Sequence, residues 1–518
     1  MTSANSHSSS RRGLRRRFLR AFATRGRLAR RTLRWMLRLA PLVTALAFPC
    51  ENILAGQNTP EDAASSAVFA SGPAGAPVSM AEGAPVPVPE QRWNLHLQNT
   101  AIVDVVGGFP AKYSGPASLA PNDIKDTVTL DLFAGLRLWS GAELHVDALS
   151  WYGSGLSYTH GIEDYPNGDA YKASAKSPYF SFAHLFIRQT IGLGGAQEEV
   201  RDDQLTLAGK QDISRLTFTL GRMSALDIFD HNTYAADPHR QFMNWGMMAN
   251  MAWDYGQDTL GYGTGLAVEL NQPQWTLRYA FFQMPAYLNK GNAGSGDAGE
   301  DQFLTWPGRG AYAPFFKSWN MDCEFERRWS INGHPGVARF LTFLNMANMD
   351  TYEAAAAILR ANGPNADISS AQAYRHAYGF GLNLEQEVTK NVGIFSRLGW
   401  NDGKTQALEY TDVNWTASLG VSVKGEAWRR PGDTFGFAGI VSGISRGNQN
   451  FLAAGGIGIL DGDGALSYSP EKVIETYYDC AVWKSVHLAF DYQFIADPAF
   501  NRDRGPVSVF GARAHWEF

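Results

Sequence analysis

From Trp93 to Phe518 apolar and polar residues alternate with a period of two, which commits most of the chain to strands with two chemically different faces. Leu130, Leu132, Ala134, Leu136 and Leu138 interleave with Thr129, Asp131, Phe133, Gly135 and Arg137. Leu144, Val146 and Ala148 interleave with Glu143, His145 and Asp147. The same pattern recurs at 274–281, 319–326, 415–424 and 486–494, and the apolar phase often begins or ends in an aromatic ring. A soluble sandwich turns such a face inward; an outer-membrane barrel turns it toward lipid and lines a wet lumen with the polar face.

Three features favour the barrel. Runs of ten or so residues match the ~9–11 that cross a bilayer when tilted. Very short turns (Ser140-Gly141, Gln272-Pro273, Lys484-Ser485) alternate with very long connections (153–182, 284–314, 347–373). The last strand ends on its apolar phase at Phe518. The expected fold is therefore an all-β, transmembrane, antiparallel barrel with short periplasmic turns and long outer loops. About seventeen runs can be counted. Single-chain bacterial barrels have an even number of strands, so either 183–193 or 204–209 must be surplus, leaving about sixteen. A helical membrane protein is excluded, since no stretch past residue 55 holds the ~18 consecutive apolar residues it needs.

Composition supports this reading. The chain has 15 Trp, 20 Tyr, 30 Phe and 53 Gly, and only 18% charged residues. Residues 1–38 contain twelve Arg and no acid, and they lead into the apolar stretch Leu39–Phe48. That order reads as an extended Arg-rich leader and signal peptide over 1–55, with cleavage expected after Ala55. The Ala/Pro-rich segment 56–92 reads as a linker, and 93–518 as the barrel. Removing 1–55 leaves 33 basic and 49 acidic residues, a net charge near −16. Such a chain is a poor nucleic-acid binder. Cys323 and Cys480 read as small apolar residues, although a single bridge between them is open. No spacing of Cys and His suggests a metal site or a cofactor.

Several stretches together resemble the carbohydrate-selective porin family (OprB-type). They are Gly141–Leu144 with Gly155-Leu156, Leu185–Gln189, Leu220–Arg222, Asp227–Asp230, Asp237–Trp245, Ala252–Tyr255, Arg397–Gly403, Arg430–Asp433, Asp491–Gln493 and Asn501–Pro506. Their order along one chain is the specific feature. The resemblance implies a sixteen-stranded channel in the bacterial outer membrane that passes mono- or oligosaccharides into the periplasm, without catalytic residues.

A sugar offers hydroxyls and a CH face, so a selective lumen needs charged side chains and nearby rings. The inward phase supplies Asp131, Arg137, Glu143, Asp147, Trp151, Arg188 and Arg397 as candidate pore-lining residues. The competing reading for each is a wall-bracing charge or, for Trp151, a girdle ring. The segment Asp237–Tyr255 is a candidate constriction loop carrying Arg240, Asn244, Trp245, Trp253 and Asp254; a packed lid or strand pair is the alternative. The arginines of Asn501–Pro506 could meet lipopolysaccharide phosphates or brace loops. Monomer and homotrimer are both compatible with the sequence. A general, cation-leaning pore and, more remotely, a barrel hydrolase are the rival functions. Asp322 and Glu324 repeat along one strand face, however, rather than converging on a bond.

Overall fold

A computed structural model describes residues 90–172, 175–284, 315–364 and 366–518. The expected leader and nearly all of the expected linker lie outside the described residues.

Sixteen strands close into an antiparallel barrel. In chain order they are β1 (Trp93–Val106), β2 (Ile124–Trp139), β3 (Ala142–Gly153), β4 (Ala175–Gly192), β7 (Arg215–Met223), β8 (Gly263–Gln272), β9 (Trp275–Gln283) and β10 (Trp319–Ile331). They continue with β11 (His334–Asp350), β12 (Gln372–Thr389), β13 (Val392–Asn401), β14 (Trp415–Lys424), β15 (Thr434–Gly443), β16 (Glu471–Trp483), β17 (Val486–Ala496) and β18 (Val507–Glu517). Each pairs with its sequence neighbour, and β1 closes on β18 in a register that places Ala101 opposite Ala514. At the seam Leu97 and Phe518 exchange backbone hydrogen bonds of 3.1 and 2.9 Å. Closure leaves no unpaired edge, the condition for backbone to survive in hydrocarbon.

The missing pair, β5 (Gln197–Val200) and β6 (Gly209–Asp212), forms a separate two-stranded sheet within the connection between β4 and β7. This resolves the strand count. Segment 183–193 belongs to the barrel through β4, whereas 204–209 does not contribute a barrel strand.

The alternation maps onto the wall as expected. Leu130, Leu132, Leu136, Leu277, Leu398, Leu419 and Phe490 are exposed on the outside, and Asp131, Asp147, Arg278, Glu324 and Arg397 are buried on the inside. Exposed rings ring both rims: Trp93, Trp139, Trp483 and Phe518 at one end, Phe180, Tyr374 and Trp400 at the other. These are the aromatic girdles of a membrane barrel. Cys323 and Cys480 are free, on the outward phase of β10 and β16, so the possible bridge does not form.

Connections at the lower rim are mostly tight. Asn332 and Gly333 both have positive φ (53° and 85°), the pairing a two-residue hairpin of right-handed twist demands. Strands run farther into the outer loops than expected: β11 continues to Asp350 and β4 begins at Ala175. The loop after β11 carries the helix Tyr352–Asn362, and the loop after β15 the helix Arg446–Ala453.

Candidate functional site

The connection between β7 and β8, residues 224–262, folds into the barrel and is pinned to the wall by residues on many strands. It starts with a reciprocal cap: Ser224 Oγ accepts from the Leu226 amide at 3.3 Å, and the Asp227 carboxylate accepts from the Ser224 amide at 2.8 Å. Glu324 on β10 accepts from the Asp230 amide at 2.8 Å, and Glu385 on β12 from the Thr233 amide at 2.6 Å. Arg513 on β18 donates to the carbonyls of Pro238 and Gln241 (2.6 and 2.8 Å). Glu475 on β16 accepts from the Met243 amide at 2.6 Å. The wall thus satisfies backbone groups that the loop cannot pair itself; each, if buried and unpaired, would cost ~1–3 kcal/mol. Glycine makes room for this approach. A Cβ on Gly399 would lie 2.0 Å from Asn250 Oδ1, and one on Gly393 2.0 Å from the Tyr234 ring.

The predicted loop residues act as further anchors. Arg240 pairs with Glu517 at 2.9 Å. Asn244 caps the short helix Trp245–Met248 and donates to the Asp164 carbonyl (2.7 Å) and Gln493 (2.8 Å). Trp245 donates to the Asn167 carbonyl at 2.7 Å and stacks on Tyr410 at 5.6 Å. Trp253, fully buried, donates to Asp322 at 2.9 Å. Asp254 accepts from three successive amides, those of Leu408, Glu409 and Tyr410. Between these anchors, residues 236–241 remain partly exposed.

A second inward segment was not foreseen, because short periplasmic turns were expected throughout. The connection between β4 and β7 is long and folds against the inner wall. Asn94 donates to Asp202 (2.8 Å) and to the Asp203 and Thr206 carbonyls (2.8 and 3.1 Å). Gln204 donates to Gln98 at 2.7 Å. Two of the predicted lining residues hold it: Arg188 donates to the Leu205 carbonyl at 2.8 Å, and Arg137 to the Ala208 and Gln91 carbonyls at 3.3 and 2.9 Å.

All seven predicted wall residues lie on the inward phase. Arg137 pairs with Glu143 at 3.3 Å, and Glu143 meets His145 at 3.1 Å. Asp131 accepts from Gln98, and Asp147 pairs with His184 at 3.0 Å. Trp151 packs edge-on against Tyr171 and Tyr179, with ring centroids at 5.0 and 6.1 Å. Arg397 is committed to Asp230 and to the Met247 carbonyl.

The densest charge array lies outside the predicted residues although its members sit in the same alternation. On β8–β12, Arg278 meets Glu269 (3.1 Å), Glu324 (2.8 Å) and Glu326 (3.0 Å), while Arg339 meets Glu326 (2.9 Å) and Glu385 (3.4 Å). Arg328 also pairs with Glu326. Among the described residues no acceptor meets Arg339 Nη1. The loop residue His231 faces this array. Burial, aided by the Arg339 charge, pushes its imidazole down to about 4, so it is neutral at physiological pH.

The sequence profile of the "Carbohydrate-selective porin, OprB family" matches residues 120–518, most of the chain. The chain belongs to the OprB family. This porin is an outer-membrane β-barrel for carbohydrate uptake, a channel rather than an enzyme. Its fold matches the high-pH structure of Pseudomonas putida OprB with a TM-score of 0.62 at 16% identity, covering 82% of this chain and 94% of that one. Also similar are the DcaP channel of Acinetobacter baumannii (TM-score 0.45, 8% identity, 82% and 97% coverage) and Salmonella typhi OmpF (0.44, 9%, 83% and 98%). No curated protein is matched.

Proposed function

We propose that sugars cross this porin along the narrow wet path left between the 224–262 loop and the inner wall. The Arg278–Glu326–Arg339–Glu385 array supplies the exchangeable hydrogen bonds. The supporting observation is Arg339 Nη1, a buried guanidinium donor that meets no acceptor among the described residues, set between carboxylates that hold it in place. A guanidinium presented this way offers its N–H to a hydroxyl oxygen, while Glu326 or Glu385 accepts the hydroxyl proton. Asp131, Glu143, Asp147 and Trp151 extend the path, with the Trp151–Tyr171–Tyr179 rings as a stacking surface for the sugar CH face. Arg137, Arg188 and Arg397 define the path by fixing the two inward segments. Solute exchange stays fast because each hydroxyl bond replaces one to water at little net gain.

Export through residues 1–55, with 56–92 as a tether, completes the reading. In the outer loops Arg504 is buried and committed to the Leu119 carbonyl; Arg502 also donates to a carbonyl, that of Tyr468, but is exposed and is the cation we assign to lipopolysaccharide phosphate. The barrel works as a monomer or as a homotrimer, since the path is complete within one chain.

Conductance of the purified porin in planar bilayers, with sugar-induced current block, tests this. Arg339→Met is expected to weaken block by glucose or maltose while the channel stays open. Unchanged block in Arg339→Met and Trp151→Ala would refute the path. Strong cation selectivity without any sugar block would favour a general pore.

A further inference from the structure

We infer that Glu163, Asp412 and Asp461 form a site for a hard divalent cation of the Ca2+ class, which ties three outer loops together over the lumen. The residues come from the loops after β3, β13 and β15, and all are buried to 1% exposure or less. One carboxylate oxygen from each lies within 4.8 Å of the others, a span that ligands at the ~2.4 Å bond length of Ca2+ can bridge.

Proximity of acids alone would mean little. The deciding observation is that neither carboxylate oxygen of Asp461 meets a donor among the described residues, nor does Glu163 Oε1. The other Glu163 oxygen accepts from the Asp412 amide at 3.0 Å, and Asp412 Oδ2 accepts from the amides of Ile459 and Leu460. Backbone therefore aims the carboxylates and leaves lone pairs pointing at one another. Gly458 closes the cradle: a Cβ there would sit 2.4 Å from oxygens of both Asp412 and Asp461. Lys172, the neighbouring cation, donates instead to the Glu409 carbonyl.

Three buried carboxylates this close repel one another unless a cation compensates them. Three carboxylates with no nitrogen or sulfur ligand suit a hard cation, and Ca2+ accepts irregular oxygen geometry more readily than Mg2+, which demands a near-ideal octahedron. The site holds whichever solute crosses the lumen, so it stands apart from the sugar path.

The test is a Tb3+ titration of the full porin in detergent after EDTA treatment, with emission excited through aromatic side chains. Saturable emission displaced by Ca2+ is expected, and Asp461→Asn and Glu163→Gln should each weaken it about tenfold or more. Asp367→Asn, an exposed loop acid, should leave it unchanged. Absence of saturable emission, wild-type affinity in both cluster variants, or equal loss in Asp367→Asn overturns the site. If Asp461→Asn fails to fold, Glu163→Gln alone decides.

Discussion

Arg397 on β13 holds Asp230 of the inward loop twice, donating from Nε to Oδ2 at 2.9 Å and from Nη2 to the backbone carbonyl at 2.9 Å. Both residues are buried, so removing the guanidinium strands a carboxylate in a dry site. Such a loss costs ~3–5 kcal/mol. Arg397→Met should therefore detach the 224–262 loop while the barrel, whose strand ladder is untouched, remains folded. Single-channel conductance should rise and sugar block should fall. Equal conductance and block in variant and wild type would show that the loop is held without Arg397.

Arg137 and Arg188 support the other inward segment through carbonyl oxygens. A hydrogen bond from a charged donor contributes ~1.5–3 kcal/mol. Replacing both by Gln should free residues 201–208 from the β1–β4 wall. Limited proteolysis should then cut near Arg201, and conductance should increase. Protection equal to wild type would mean that Asn94 and Gln98 suffice.

His239 gives the loop a pH dependence. It lies between Asp169 (3.0 Å) and Asp237 (3.3 Å) and stacks on His515 at 5.6 Å. Burial opposes its charge, but the Asp169 and Asp237 carboxylates outweigh that and hold its pKa well above the ordinary value. A pKa higher in the folded state means the stabilisation is complete below about pH 6.5 and disappears as pH rises through the folded value. His239→Gln should thus lower the thermal unfolding midpoint relative to wild type at pH 6, with the gap closing in alkali. A gap independent of pH would assign the effect to packing.

The wall was legible in the sequence because the bilayer imposes a strict period: Leu277, Tyr279 and Phe281 face out while Thr276 and Arg278 face in, with no knowledge of neighbours required. The closing strand and the inward orientation of Arg188 followed from the same rule. What could not be read was anything fixed by long-range pairing. That Arg137 and Arg188 reach the carbonyls of 205–208, rather than open water, depends on how an irregular segment folds back. The Arg278–Arg339 array is illegible in the sequence for a related reason. Its residues alternate like every other lumen charge, and only cross-strand register brings Glu326 and Glu385 around the two arginines. Trp253 and Asp254 stand close together in the sequence of the 224–262 loop, but their partners Asp322 and Leu408–Tyr410 are distant in sequence.

The inward loops bring their own apolar side chains against the wall: Phe229, Phe242 and Trp253 share one buried cluster with Phe343 and Phe395. This molecule consequently has two separate oily regions, one solvated by lipid and one sealed inside as in a water-soluble enzyme. Substitutions in the sealed region can reshape the filter without disturbing insertion into the bilayer, so the solute a descendant admits is free to drift while its anchorage stays constant.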